Sequence, residues 1–109
     1  MATFFRTKVE KNIGTTPIDV LTATASNRFT IIGCNLANTT DFDVIIDIFV
    51  EDAAAVAGYY IKELIIPPYT SAKVITNGEK LILAEECIFR IVSDTDNSID
   101  AVISYAEIV

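Results

Sequence analysis

Apolar and polar residues alternate along most of this chain. The clearest stretch is FDVIIDIFV, from residue 42 to residue 50, in which every second residue from Phe42 to Val50 is apolar and two aspartates lie between. Successive side chains of a strand point to opposite sides, so a period of two predicts a β-strand that buries one face. Phe42, Val44, Ile46, Ile48 and Val50 share one face of this strand, and we expect that face to pack against the core.

The same alternation recurs in short segments that are bounded by turn-forming residues. These segments are residues 4–13, 18–23, 28–38, 59–66, 71–76, 80–83, 86–93 and 99–108. Short strands that recur about every ten residues are typical of β-sandwiches and barrels. The one helix candidate, residues 51–58, is long enough only for a turn or two within a loop. We therefore predict an all-β chain, a single antiparallel β-sandwich of seven to nine short strands, immunoglobulin-like or jelly-roll-like in topology.

Two of the turns are recognisable from their residues. The dipeptide Asn77-Gly78 is typical of a tight hairpin turn and closes the segment 71–76, and residues 80–83 are either a short strand or a linker. The turn-forming residues 94–98, DTDNS, predict a second hairpin, in which the preceding strand pairs with the last segment of the chain.

Composition adds that part of the surface is expected to be covered. The chain has 109 residues, which fits one domain, and 51% of them are hydrophobic. Its mean hydropathy of +0.44 is high for a small acidic protein. A fold with two apolar layers and little loop would explain this value, and so would apolar surface that is buried against partner subunits; we expect a mixture of the two. No apolar run is long enough for a transmembrane helix, and charges between residues 6 and 11 interrupt any signal peptide. We expect no membrane association and synthesis in a reducing host cytoplasm.

Charge is distributed unevenly along the chain. The net charge of −7 argues against nucleic-acid binding, because an acidic body repels phosphates. Residues 1–14 carry three basic side chains and one acidic one, a net +2, whereas residues 15–109 carry five basic and fourteen acidic ones, a net −9. We expect residues 15–109 to be the β-sandwich domain. Residues 1–14 are either an N-terminal arm, hinged at residues 14–17, or the first strand of the sandwich.

If residues 1–14 form an arm, its charges and aromatic rings predict docking on another subunit. The candidate assembly residues combine two aromatic rings with three cations, and they are Phe4, Phe5, Arg6, Lys8 and Lys11. A basic segment is steered towards an acidic neighbour, and burial of the rings then holds the two together.

The residues that usually carry catalysis or bind metal are sparse. The chain has no histidine, which removes the commonest general base, and its four glycines are dispersed. Two cysteines, Cys34 and Cys87, are too few for a structural zinc site, and we expect both to be free thiols in apolar surroundings. Residues 94–100 begin like a calcium loop, but Ile99 stands where the sharp turn needs glycine. We therefore predict no enzymatic activity and no catalytic, metal or cofactor site.

Two further patterns leave alternatives open. Tyr59, Tyr60 and Tyr69 are candidates for a sugar-stacking platform, although adjacent residues of a strand face opposite sides. A carbohydrate-binding module that recognises a host surface glycan is therefore the alternative function. Asn38-Thr-Thr matches the glycosylation acceptor pattern, and we expect it to be a turn.

Three longer stretches, RFTIIGCNLANTTDFDVIIDIFV, YYIKELIIPPYTS and KLILAEECIFRIVSDTDNSIDAVISYAEI, resemble a group of small phage virion proteins, especially from phages of cyanobacteria. The resemblance covers residues 28–108 and consists of strand patterning. It implies a non-enzymatic structural protein of the virion, at the capsid surface, neck or tail. It also implies other virion proteins as partners, with a homo-oligomer expected, and no catalytic residues.

Overall fold

The computed structural model describes residues 2–75 and 78–109, which form nine strands and no helix. The strands are β1 (Thr3–Ile13), β2 (Ile18–Thr22), β3 (Arg28–Asn38), β4 (Val44–Glu51), β5 (Ala57–Ile66), β6 (Ser71–Ile75), β7 (Leu81–Leu83), β8 (Ile88–Ser93) and β9 (Ile99–Ile108). The predicted all-β sandwich is confirmed. Within these ranges no helix has the length and apolarity needed to span a membrane.

Two antiparallel sheets form the sandwich. The five-stranded sheet has the order β1-β9-β3, with β6 and β7 both along the other edge of β3, and the four-stranded sheet has the order β2-β8-β4-β5. The first strand thus pairs with the last, the second with the second-last, and so on inwards. This nested pairing, divided between two sheets, is the jelly-roll arrangement. Of the two topologies expected from the sequence, the structure has the jelly roll.

The core lies between the sheets and is built by the predicted alternation. Val44, Ile46 and Ile48 of β4 are completely buried, and burying each such side chain stabilises the fold by about 1.5–3 kcal/mol. Phe42 precedes β4, so it lies in the turn and remains half exposed.

The hairpin predicted at residues 94–98 is wrong, and the strands on either side of the Asn77-Gly78 dipeptide do not pair with each other. Strands β6 and β7 are each antiparallel to β3, so they run in the same direction and do not pair with each other. Gly78 lies between them, and Asn77 is outside the described residues. Strand β8 pairs with β2 and β4, whereas β9 pairs with β1 and β3 in the other sheet. Turn-forming residues specify that the chain changes direction, but the same residues serve whether it stays in one sheet or crosses to the other.

The helix candidate is the loop between β4 and β5. The Asp52 carboxylate accepts hydrogen bonds from the backbone N–H groups of Ala54 at 2.9 Å and Val56 at 3.0 Å. Ala55 has a positive φ of 62°, outside the helical region. The aspartate that would cap a helix therefore closes a tight loop.

Residues 3–13 form the first strand of the sandwich, which is one of the two alternatives for this segment. The first two residues of the expected hinge, Gly14 and Thr15, pack against Asp96. A Cβ on Gly14 would lie 3.1 Å from a carboxylate oxygen of Asp96, and the Thr15 hydroxyl donates to the same oxygen at 2.9 Å. Close packing and these hydrogen bonds fix the connection between β1 and β2.

Candidate functional site

The outer face of the five-stranded sheet carries two rows of side chains. Directly paired residues of neighbouring antiparallel strands point to the same side, so the register identifies each row. The row that crosses β1, β9, β3 and β7 consists of Phe5, Ala106, Thr30 and Ile82. The row that crosses β1, β9, β3 and β6 consists of Val9, Val102, Asn35 and Lys73.

Large apolar side chains in these rows are exposed. Phe5 is 79% exposed, Ile82 69% and Val9 57%. Ile32, the extra residue where the register of β3 with β9 shifts, is exposed beside them. We call the five residues of this surface the apolar face: Phe5, Val9, Ile32, Ile82 and Val102. Exposed apolar side chains that share one face of a sheet make that face a candidate interaction surface.

A recess of about 530 Å³ lies along the second row, where Asn35, Lys73 and Val102 line it. Gly33 lines it, and a Cβ there would have no closer neighbour than the Ile75 carbonyl oxygen at 3.8 Å. The side-chain oxygen of Asn35, another lining residue, is buried and has no hydrogen-bond partner among the described residues. Leaving a buried acceptor unpaired costs about 1–3 kcal/mol, so a donor that enters the recess would recover this cost.

On its other side, β1 carries charges that are paired within the chain. The Arg6 guanidinium lies 2.8 Å from one oxygen of Glu107, and the Asn27 amide donates to the other at 2.9 Å. These two hydrogen bonds, the one from Asn27 first, lower the pKa of Glu107 below its ordinary value. The Lys8 ammonium lies 3.5 Å from the carboxylate of Glu10.

The structure therefore separates the predicted assembly residues. Phe5 points outwards with the apolar face, whereas Phe4, Arg6 and Lys8 lie on the opposite side of β1, and Arg6 lies 5.1 Å above the ring of Phe4. Lys11 is exposed near the end of the strand, within the irregularity between Glu10 and Ile13 where the register with β9 shifts.

Sequence reasoning missed Val9, Ile32, Ile82 and Val102, because only strand register brings these residues together. Of these four residues, only Val9 could have been identified from the sequence, because it lies four residues after Phe5 in the same segment and therefore on the same face of a strand. The other three residues lie on β3, β7 and β9, whose order could not be derived from the sequence.

The outer face of the four-stranded sheet has a different character. Arg90 of β8 donates to the carboxylates of Asp19 on β2 and Glu51 on β4. These hydrogen bonds raise the pKa of the Arg90 guanidinium, which also lies 5.9 Å from the ring centroid of Phe49. One cation thus joins three strands of this face and pairs with two carboxylates.

The three tyrosines do not form one platform. Tyr59 is exposed on this outer face, and the Lys62 ammonium lies 4.5 Å above its ring. Tyr60 is half-buried against the core, and its hydroxyl donates to Glu79 at 3.0 Å. Tyr69 lies in the turn between β5 and β6 with a φ of 52°.

The acidic residues of the 94–100 segment brace three different parts of the chain. Asp94 accepts from the backbone N–H of Ile45 at 3.0 Å, Asp96 holds the β1–β2 connection, and Asp100 accepts from the N–H of Asn12 at 3.0 Å. Within residues 2–75 and 78–109, no three side chains of the types that bind metal come together.

The two cysteines are not linked. Cys34 is buried on β3, where burial raises the pKa of its thiol to about 12. Cys87 precedes β8 and is half-buried. The buried thiol is protonated at neutral pH, and a protonated thiol is a poor nucleophile.

Asn38 has a structural role that sequence reasoning did not identify. Its side chain is 3% exposed, and its amide donates to the carbonyl oxygens of Phe42 at 2.9 Å, Ile66 at 2.9 Å and Pro67 at 3.1 Å. Asn38 is the last residue of β3, so the expected turn begins only after it, and its side chain holds the β3–β4 connection against the β5–β6 connection. These hydrogen bonds occupy the nitrogen to which a glycan would be attached.

Comparison with known proteins finds a similar fold. No protein-family model matches the chain, and no curated protein matches it. A chain in a cryo-electron microscopy structure of the virus-like particle of the extra small virus of the giant freshwater prawn, Macrobrachium rosenbergii, is similar with a TM-score of 0.51. The match covers 98% of this chain and 79% of that one, at 8% sequence identity. The shared feature is the fold, and no comparison supports the phage group in particular.

Proposed function

We propose that this chain is a non-enzymatic structural subunit of a virus particle and that its apolar face binds another virion protein. The observation that carries the proposal is the alignment of five exposed apolar side chains across the outer face of one sheet. The similar fold of a chain from a virus-like particle supports the particle as the setting. The capsid surface, the neck and the tail are the places that the phage resemblance adds to the proposal.

The energetics of the apolar face favour a covered state. Burying a side chain such as Phe5 or Ile82 in an interface is worth about 1.5–3 kcal/mol. A partner that donates a hydrogen bond to the buried oxygen of Asn35 gains further. Lys73, at the end of its row, would lie at the rim, where interfaces are polar.

The roles of the chain's reactive groups support a non-enzymatic function. The carboxylates of Asp94, Asp96 and Asp100 are used as acceptors that brace loops. The Cys34 thiol is buried in the core. A structural subunit needs none of these groups for chemistry.

The test is whether the chain is a constituent of virus particles. Quantitative mass spectrometry of virus particles, purified from an infected culture that expresses this chain, should detect the chain at a fixed number of copies per particle. Many copies per particle would place it on the capsid, and small multiples of six or twelve would place it in the neck or tail. Detection of the chain only outside particles would contradict the proposal, and retention on polysaccharide would favour the carbohydrate-binding alternative.

A matched pair of variants tests the surface itself. Val102→Lys places a charge in the middle of the apolar face, and Ile65→Lys places the same charge at an exposed position on the outer face of the other sheet. We expect the first variant to fold and to be lost from particles, and the second to be incorporated. Equal incorporation of both variants would show that the apolar face is not the interface.

A further inference from the structure

The two sheets have four edges, and three of them are interrupted. Strand β2 has five residues, and β6 and β7 are two short strands that share one edge of β3. In β5 the register with β4 shifts, and Glu63 has a positive φ of 55° while its N–H is held by Asp47. Short strands and irregularities of this kind block the addition of another strand.

The fourth edge, β1, is open. From Thr3 to Glu10 it pairs with β9 without any irregularity, and β9 is its one strand neighbour among the described residues. Residues 3–13 contain neither proline nor glycine, and Ile13 is the only one that is buried. The outer edge of β1 therefore offers a row of backbone N–H and C=O groups to another strand.

We propose that two copies of this chain pair through β1, antiparallel and about a two-fold axis, so that their five-stranded sheets become one ten-stranded sheet. The inference rests on the proposed assembly function and names the partner of this strand. A two-fold axis suits an edge strand, because the same strand then serves both copies.

The charges of β1 do not oppose this pairing. Taken alone, residues 1–14 carry a net +2, and two such segments would repel each other. In the folded chain, however, Glu107 neutralises Arg6 and Glu10 neutralises Lys8. A second β1 therefore meets an edge whose charges are largely balanced. Pairing does not depend on attraction between a basic arm and an acidic neighbour.

The charges also select a register. Pairing centred on Lys8 places Arg6 of each copy opposite Glu10 of the other copy, and directly opposed charges of opposite sign favour pairing. Two lysines meet at the axis, each already beside its own Glu10 at 3.5 Å. Pairing centred on Thr7 would instead place Arg6 opposite Lys8 twice, which is unfavourable.

Pairing centred on Val9 also opposes Lys8 and Glu10, but it uses only residues 8–10 of the regular part of β1, whereas pairing centred on Lys8 uses residues 6–10. The register centred on Val9 also places Arg6 opposite Asn12. That residue has a positive φ of 57° and lies where the register with β9 shifts, so the strand is irregular there. In the register centred on Lys8, Phe5 and Val9 of both copies lie on the same outer side, because alternation is preserved across paired strands. The two apolar faces would form one continuous surface.

A charge exchange within the chain tests this register. Arg6→Glu alone and Glu10→Arg alone each place like charges opposite one another twice, whereas the double variant restores opposite charges. Residues 6 and 10 lie about 13 Å apart on one strand, too far for direct pairing within the chain. The Arg6–Glu107 contact is lost in Arg6→Glu and in the double variant alike, so it cannot account for a rescue.

The measurement is sedimentation velocity of the purified chain over a range of concentrations, with thermal melting to verify that each variant folds. We expect a dimer for the unmodified chain, dissociation constants at least tenfold higher for both single variants, and recovery in the double variant. A chain that stays monomeric, single variants that dimerise normally, or a double variant that does not recover would each overturn the inference.

A cysteine cross-link tests the same axis while Arg6 and Glu10 remain unchanged. Lys8→Cys places two thiols opposite each other at the axis, within the Cα separation that a disulfide needs, whereas Lys11→Cys does not. Oxidation should give a covalent dimer only with Lys8→Cys, and equal cross-linking of both variants would overturn the register. Particles that incorporate a chain unable to dimerise would contradict this inference alone. A dimeric chain absent from particles would contradict the proposed function instead.

Discussion

The outer faces of the two sheets cover the same core but differ in how their side chains are used. On the four-stranded sheet, Arg90 joins Asp19 and Glu51, and Phe49 lies beside this cation. On the five-stranded sheet, the rows that begin at Phe5 and Val9 have no such network and expose apolar side chains. The alternation of residues shows which side chains point outwards. Ion pairs among the outward-pointing side chains indicate whether their charged groups have partners within the chain itself.

The four-stranded sheet also exposes apolar side chains on its outer face. Ile45 and Ile65 lie opposite each other on the four-stranded sheet and are both exposed. They form one pair on adjacent strands, whereas the apolar face extends across β1, β9, β3 and β7. Isolated exposed apolar residues are ordinary on protein surfaces, and continuity across strands is what distinguishes an interface.

Adjacent residues of β9 give the strongest test of this comparison. Ile103 is completely buried, whereas Val102 is 42% exposed on the apolar face. Ile103→Ala should lower the free energy of unfolding by about 2–5 kcal/mol, and Val102→Ala should change it by no more than about 0.5 kcal/mol. Chemical denaturation of the monomeric chain measures both. Equal destabilisation would mean that Val102 belongs to the core and that the apolar face is a part of the fold.

The next largest effect is expected in the reactivity of the two thiols, of which Cys34 lies on the five-stranded sheet and lines the recess. Burial raises the pKa of the Cys34 thiol to about 12, so it should react with a thiol reagent at pH 8 far more slowly than an exposed thiol. Cys87, which is half-buried, should react faster. After denaturation without reductant, two thiols should titrate. Finding none would mean that the two cysteines are linked, contrary to expectation.

The four-stranded face should depend on its ion pairs. Arg90→Met keeps an apolar stem beside Phe49 but leaves Asp19 and Glu51 without their shared cation. We expect a lower melting temperature, a smaller loss than for Ile103→Ala, and a loss that shrinks in high salt because salt screens exposed charges. Lys73→Met on the five-stranded face is the control and should change little. A loss that is independent of salt would show that Arg90 acts through packing.

The fold was predictable from the sequence to the level of its strands but not to the level of their partners. The alternation from Val44 to Ile48 identified β4 and its buried side, because the period depends on one strand alone. The pairing of β9 with β1 and β3 depends on contacts between residues far apart in sequence, and a turn does not encode which sheet the chain enters next.

Only the part of the candidate site that lies within one segment could be predicted, because the rest depends on which strands pair. Phe5 was identified because an exposed aromatic ring near three cations stands out within one segment. Ile82 was not, because it joins the row only when β7 pairs with β3, which in turn pairs with β9. A surface formed by four strands is a property of register, and a slip of one residue would turn Ile82 towards the core.

The smallest expected effect concerns the contact that holds the first half of β1 to β9. Hydrogen bonds from Asn27 and Arg6 lower the pKa of Glu107 in the folded chain below the value of about 4.3 that an unfolded glutamate has. A lowered folded pKa stabilises the fold above the unfolded pKa, and this contribution is lost as the pH falls through the folded pKa. The melting temperatures of the unmodified chain and of Glu107→Gln should therefore differ at pH 7 and converge as the pH falls through the folded pKa of Glu107. Asn27→Ala removes the larger cause, so convergence should then occur at a higher pH. A difference that persists unchanged into acid would mean that Glu107 stabilises β1 through its shape and not through its charge.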